Sequence, residues 1–241
     1  MSGLKRNTAR LFSNRGKLFA LAMDLPQLGI VKGLEDPVGL IREHEKSKLD
    51  AFLCNVGIAQ IAEAELLHKK LLLRTSSAGT NLASEMTNIH RNHVSPERAL
   101  AIGADAVVMM FFVGGNDYAS GQDVAAAIDA YHRLEIPVIV EIMAYDNNLT
   151  QTFETQVNGA RSAAELGADV IKAFYTERFD EVIAQCPVPI ILAGGPKGVH
   201  VEDMARDAVT NGIKGFCFGR NLYQIEDAAE RIDRLDAILR G

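Results

Sequence analysis

The sequence predicts an α/β chain folded as a single (β/α)8 TIM barrel spanning residues 1–241, and three observations lead there. Eight short apolar runs recur along it. Each is followed by a polar turn and then a longer segment with helical periodicity, the alternation of parallel strands joined by crossover helices. The 241 residues match the roughly 250 of such barrels. The runs are apolar on both faces, as in buried parallel sheet, and no G-x-G-x-x-G follows the first of them, which favours a closed barrel over an open doubly wound sheet.

The elements follow in order. Met1 to Arg15 is expected to form a leading helix packed under the barrel. The predicted strands are Leu18 to Met23, Ala51 to Cys54, Leu71 to Arg74, Ala106 to Phe111, Val138 to Met143, Val170 to Phe174, Ile190 to Ala193 and Phe216 to Gly219. Between them, Ser95-Pro96-Glu97 has the form of a helix N-cap with proline in the first turn. Gly103-Ala104-Asp105 and Gly167-Ala168-Asp169 each have the form of a helix end feeding a strand.

Composition narrows the function classes. Hydrophobic residues make up 48% and charged residues 23%, a globular rather than disordered balance. The net charge of −6 is spread over interleaved acidic and basic residues, leaving no basic stripe for nucleic acid. No signal-type h-region and no uncharged apolar stretch of about 18 residues occurs. A cytoplasmic protein with no membrane partner is therefore expected. Cys54, Cys186 and Cys217 are odd in number and widely spaced, which excludes a disulfide framework and suits reduced packing residues.

Chemistry in such a barrel lies at the C-terminal ends of the strands. Lys172 interrupts the sixth run, where a charge is too costly to be idle, and desolvation is expected to lower its pKa and free the amine to attack a carbonyl. A strand-end lysine that snorkels to solvent or pairs with a carboxylate is the plain alternative. Glu141 is a lone charge in the fifth run, beside Lys172 across adjacent strands. It suits proton transfer, or else a structural salt bridge to that lysine. Asp24 ends the first run, placed either to hold a substrate hydroxyl or orient the lysine, or to cap the loop at Pro26.

Ala193-Gly-Gly-Pro-Lys197 follows the seventh run and Gly219-Arg220-Asn221 the eighth. These place the glycine backbones of Gly194, Gly195 and Gly219 and the Arg220 guanidinium where TIM barrels commonly bind phosphate. Gln27, and Arg74 with Thr75 and Ser76, stand after the first and third strands, positioned to contact hydroxyls or phosphate. Asn88-Ile-His90-Arg-Asn-His93 offers an H-x-x-H pair without a third metal ligand of obvious spacing.

These residues together resemble the broad class I aldolase superfamily of the DeoC/LacD and archaeal-type fructose-bisphosphate kind, over nearly the whole chain. The resemblance rests on Met23-Asp24, Val170-Ile-Lys172, Leu192-Ala-Gly-Gly-Pro-Lys197 and Phe218-Gly-Arg-Asn-Leu-Tyr-Gln224. It implies a Schiff base on Lys172, phosphate held by the seventh and eighth loops, and substrate oriented by Asp24. In the archaeal fructose-bisphosphate branch a proton-transferring tyrosine stands where this chain has Met143. Glu141-Ile-Met-Ala-Tyr-Asp146 instead is similar to the E-x-L-x-Y-D run of the tagatose-bisphosphate branch, alongside which sulfofructose-phosphate aldolases fall, and that implies Glu141 as proton carrier with Tyr145 a second candidate.

The expected activity is cleavage or formation of a phosphorylated ketose with dihydroxyacetone phosphate as donor fragment. The iminium is the electron sink, so no metal or cofactor is expected. Alternatives are Schiff-base transfer of the thiolase or synthase type, a metal-dependent aldolase or isomerase using His90 and His93, and a non-catalytic sugar-phosphate-binding barrel. The resemblance also implies a homo-oligomer, with the apolar helix Ile225 to Leu239 available to pack between subunits or on its own barrel.

Overall fold

The computed structural model describes residues 2–82, 90–195 and 200–241. Eight parallel strands close into a barrel: β1 Leu18–Ala22, β2 Ala51–Asn55, β3 Lys70–Arg74, β4 Ala106–Val113, β5 Val138–Ala144, β6 Val170–Ala173, β7 Ile190–Ala193 and β8 Gly215–Phe218. Each strand pairs with its sequence neighbours, and β1 pairs with β8 to close the ring. All eight predicted strands are present. β4 and β5 run further than the sequence suggested, and β8 stops at Phe218, so Gly219 begins the next turn instead of ending the strand.

Side chains alternate between the two faces of each strand. One set packs outward against the helices: Phe19, Leu21, Phe52, Leu71, Leu73, Val107, Val138, Val140, Ile171, Leu192, Phe216 and Phe218. The other set fills the barrel: Leu18, Ala20, Leu53, Leu72, Ala106, Val108, Ile139, Val170, Ile191 and Cys217. Helix α1 (Gly3–Leu11) is capped by Ser2, whose side chain accepts from Lys5 N, and it sends Leu11 into the interior set at its lower end. Gly215 faces inward there, where an added Cβ would lie 2.2 Å from the Leu18 carbonyl oxygen. Only glycine allows β1 and β8 to approach this closely at the closure.

The crossover helices are α2 (Pro37–His44), α3 (Val56–Ile61), α4 (Pro96–Ile102), α5 (Asp117–His132), α6 (Phe153–Glu165), α7 (Phe179–Gln185) and α8 (Val201–Thr210), followed by α9 (Arg220–Tyr223) and α10 (Ala228–Arg240). The Ser95 side chain accepts from Arg98 N at the start of α4, and left-handed Gly103 ends it. Helix α10 buries Ile232, Leu235 and Leu239, and it packs on α8 of its own chain. Its apolar stripe is thus consumed within the chain. An antiparallel ribbon of Ser76–Ser77 with Arg91–Asn92, absent from the sequence reading, stands over the end of β3. All three cysteines are free, Cys54 and Cys217 buried and Cys186 half-buried. Among the described residues no helix is long and apolar enough to cross a membrane.

Candidate active site

On several strands the inward-facing series turns from apolar to charged at its C-terminal end. Ile139 is followed on the same face by Glu141, Val170 by Lys172 and Leu72 by Arg74. Strand register sets Glu141 directly beside Lys172, and the Lys172 Nζ to Glu141 Oε1 distance is 2.7 Å. The other Glu141 oxygen, Oε2, accepts from Arg74 Nη2. Arg74 also engages Asp24 Oδ2 through Nε at 2.7 Å and Nη2 at 2.6 Å. The four side chains form one alternating chain of charge, Asp24–Arg74–Glu141–Lys172. All are buried: Arg74 is 0% exposed, Asp24 and Glu141 4% and Lys172 5%.

This chain reverses one expectation. Burial is the largest single influence and disfavours the Lys172 ammonium, as the sequence suggested, but Glu141, Cys217 and Asp24 together outweigh it, and the lysine pKa lies above its ordinary value. Burial likewise opposes the Glu141 carboxylate, and Lys172 and Arg74 together overcome it, holding its pKa down at about 2. The resting state is therefore an ion pair, and the free amine arises only by proton transfer within it. Burial disfavours the Arg74 cation too, and its two carboxylates more than restore it, so it stays charged.

A cavity of about 100 Å3 opens above the quartet. Asp24, Glu141, Lys172, Gly194, Gly195, Gly219 and Arg220, all singled out from the sequence, line it. The two glycine loops adjoin: a Cβ added to Gly194 would lie 3.5 Å from Gly219 N. The Asn221 side-chain amide donates to the Gly194 carbonyl and ties the loop after β7 to the turn after β8. Gly195 has φ +57, a conformation in which a side chain is strained. Positions 196–197 of that motif lie outside the described residues.

Arg74, Gln27 and Tyr145 are placed differently from expectation, and for Asp24 the capping alternative falls away. Asp24 is not a loop cap: it makes no side-chain capping bond and spends its carboxylate on Arg74. Arg74 does not line the cavity. Its Nη2 and Nε are held by carboxylates, and Nη1 is buried with no hydrogen-bond partner among the described residues. Gln27 sits on the 3-10 turn Leu25–Leu28, away from the cavity lining, with both side-chain amide atoms buried and unpartnered among the described residues. Tyr145 lines a separate cavity of about 190 Å3 with His90 and Arg91. His90 and His93 face Ser76 Oγ at 3.4 Å and Ser77 Oγ at 3.2 Å respectively; Asn88 lies outside the described residues. Met110, Phe174 and Cys217 also line the lysine cavity, and the sequence reading left them out. Strand alternation was the available signal: Met110 lies two residues beyond Val108 and Phe174 two beyond Lys172.

A model of the family described as DeoC/LacD family aldolase matches residues 13–225. The chain belongs to this family. It is an enzyme of the lyase class, and comparisons across its whole length agree in fold. The 2-amino-3,7-dideoxy-D-threo-hept-6-ulosonate synthase 1 of Archaeoglobus fulgidus is 32% identical over 244 residues, covering 100% of this chain and 92% of the relative. A 3-hydroxy-5-phosphonooxypentane-2,4-dione thiolase of Escherichia coli K12 is 27% identical over 246 residues, covering 98% and 82%. Among solved structures, an archaeal fructose 1,6-bisphosphate aldolase superposes with a TM-score of 0.87 at 24% identity, covering 99% of both chains.

Proposed function

We propose that this enzyme cleaves and forms a phosphorylated ketose through a Schiff base on Lys172, with dihydroxyacetone phosphate as the donor fragment. The observation that carries this reading is the buried Lys172–Glu141 pair at 2.7 Å, opening onto a cavity ringed by glycines and Arg220.

The pair supplies each proton the reaction needs. Glu141 takes a proton from the Lys172 ammonium, leaving an amine that adds to the ketone carbonyl. The protonated Glu141 gives its proton to the alkoxide oxygen and then, as a carboxylate, takes one from the adduct nitrogen; it passes this second proton to the carbinolamine hydroxyl, which leaves as water while the freed nitrogen lone pair forms the iminium. Glu141, again a carboxylate, removes the proton of the hydroxyl on the carbon that becomes the aldehyde. The carbon–carbon bond electrons flow into the iminium to give an enamine, and Glu141 then protonates the enamine carbon. At the iminium stage the positive charge is still on Nζ, so the Glu141 partnership survives in low dielectric. Arg74 and Asp24 hold the carboxylate in place from below. Gly194, Gly195, Gly219 and Arg220 bind the phosphate, with main-chain amides approaching closely and a guanidinium adding a charge-assisted contact.

A second reading keeps the Schiff base and changes the reaction to transfer. The full-length likeness to a synthase and a thiolase favours it. Intact-protein mass spectrometry after borohydride reduction with dihydroxyacetone phosphate tests the common step. The expected result is one adduct mapping to Lys172. Absence of that adduct under conditions where the ligand binds overturns both readings. Product analysis with aldehyde and acyl acceptors then separates cleavage from transfer.

A further inference from the structure

The opposite end of the barrel carries a feature that the chemistry above leaves unused. The chain is acidic overall, with a net charge of −6. Yet a cavity of about 390 Å3 beneath β1, β2 and β3 is lined by Arg15, Lys48, Lys69 and Arg240 against two carboxylates, Asp50 and Asp236. Asp50 accepts from Phe19 at the base of β1, and Phe19 and Asp24 are separated by roughly 15 Å of extended chain. The cavity is therefore remote from Lys172.

Both carboxylates are already engaged. Asp50 Oδ2 accepts from Phe19 N at 2.7 Å and pairs with Arg240, while Oδ1 accepts from Asn14 Nδ2 at 3.0 Å. Asp236 pairs with the other terminal nitrogen of Arg240. Arg15, Lys48 and Lys69 are left over, ion-paired with neither carboxylate. Lys69 donates to the Ser47 and Leu49 carbonyls at 2.9 and 2.6 Å, which fixes the ammonium at the cavity wall. Burial and neighbouring Lys70 lower its pKa, and the pull of Asp50 and Glu45 does not make good the loss. The Arg240 side chain is 4% exposed, and its Nε is buried with no hydrogen-bond partner among the described residues. A buried donor left unpaired is costly. Arg15 stands in the left-handed region at φ +53 beside Gly16 at φ +71, in the two-residue turn that bridges Asn14 to Lys17. Asparagine or glycine is the usual occupant of such a position, and arginine there sets a long cationic side chain at the rim.

We infer that this cavity is a binding site for a compact dianion of the phosphate class, held by Arg15, Lys48 and Lys69 and backed by the Arg240 guanidinium. The lining has two positive charges in excess, which a dianion neutralises. The cations come from four segments distant in sequence: the turn before β1, the loops before β2 and β3, and the end of α10. Occupancy ties these together at the face where TIM barrels keep stability and not chemistry, and it favours the folded chain because the unfolded one has no such site.

Equilibrium dialysis with radiolabelled inorganic phosphate at mildly alkaline pH tests the site. It compares Arg220→Ala, in which the donor-phosphate loops are weakened, with Arg15→Asn/Lys48→Gln/Arg220→Ala. Asparagine tolerates the left-handed backbone, both replaced side chains are exposed, and melting without phosphate checks that the fold is kept. Lys48→Glu/Arg220→Ala, with the turn untouched, is the second variant. Arg220→Ala should bind about one phosphate per chain. Both multiple variants should bind it about 10- to 100-fold more weakly, the range for losing a charge-assisted contact. Phosphate should also raise the melting temperature of Arg220→Ala and leave the multiple variants unmoved. Sulfate should compete, and chloride at equal ionic strength should not. No binding by Arg220→Ala, or equal binding by the variants, overturns the inference. Equal competition by chloride and sulfate also does so, because a merely diffuse field answers to ionic strength and not to the anion. No step involves Lys172, so failure of Schiff-base trapping leaves this result standing.

Discussion

Arg74→Met tests the charge chain at its centre. The substitution keeps an unbranched side chain of similar reach and removes the cation lying between Asp24 and Glu141, both 4% exposed. The quartet goes from neutral to one negative charge in excess. Each ion contact is worth about 4 kcal/mol at an effective dielectric near 20, and much of that is offset in the native protein by desolvating the guanidinium. Removing one member of a buried ion network costs about 3–5 kcal/mol, because a charge is left uncompensated. Unfolding by urea at pH 7 should show a loss of that size with an unchanged m-value. Removing Asp24 as well restores neutrality, since Glu141 and Lys172 still pair. The double variant Asp24→Asn/Arg74→Met should therefore be more stable than Arg74→Met by about 2 kcal/mol, within the usual range of coupling between contacting residues. The single variant's deficit should shrink as the pH is lowered toward 4.5, where a carboxylate can take up a proton in place of the missing cation. A double variant no more stable than the single one would refute the account, because it would mean that Arg74 contributes by packing and not by balancing charge.

Glu141→Gln should lower kcat by about 100- to 10,000-fold, the usual worth of a positioned proton carrier. It should also move borohydride trapping of dihydroxyacetone phosphate toward lower pH, because burial of Lys172 is no longer offset; a pH–trapping profile identical to wild type would contradict the ion-pair assignment. His90 has a folded pKa of about 4, below the 6.5 of an ordinary histidine, so the unfolded chain binds more protons between these values. Its neutral burial thus stabilises the fold above pH 6.5, and the benefit falls by up to about 3 kcal/mol as the pH drops to 4. Urea midpoints of His90→Gln against pH should be flatter over that window than those of wild type. Burial pushes all three thiols up, Cys54 and Cys217 furthest, and Cys186 is the one half-buried, so iodoacetamide on the native protein should label Cys186 before either; early labelling of Cys217 would show that the lysine cavity admits bulkier reagents than its volume allows.

The strands were legible in the sequence because parallel strands covered on both faces read as unbroken apolar runs, and Lys172 and Glu141 stood out as charges that such runs do not tolerate idly. The glycine loops were legible because their spacing after the last two strands is a backbone requirement. What escaped depends on partners distant in the chain. The direction of the Lys172 pKa is set by a carboxylate 31 positions away in sequence but 2.7 Å away in space. Arg74 shows the same limit: its place at the end of the third strand was right, and its orientation toward Asp24 and Glu141 could not be read from neighbours in sequence. Tyr145 was placed near the chemistry by its closeness to Glu141 along the chain, but β5 ends at Ala144 and the turn that follows carries the ring to the other cavity. The Ser76–Ser77 ribbon has two residues per strand, too few for any periodicity to show.

The pairing of β1 with β8 has a consequence for the order in which the molecule comes into being. Asp24 is made before Lys172, and Gly219 with Arg220 after both. Gly215 must lie against Leu18 before the ring is sealed, so the nascent polypeptide holds Lys172 and Glu141 for some time without a chamber around them. Ribosome-bound chains ending before Gly215 would lack both the final stave and the anion-facing turn beyond it. On the proposed mechanism, the chamber in which Lys172 would meet its substrate therefore exists only once the circle is closed.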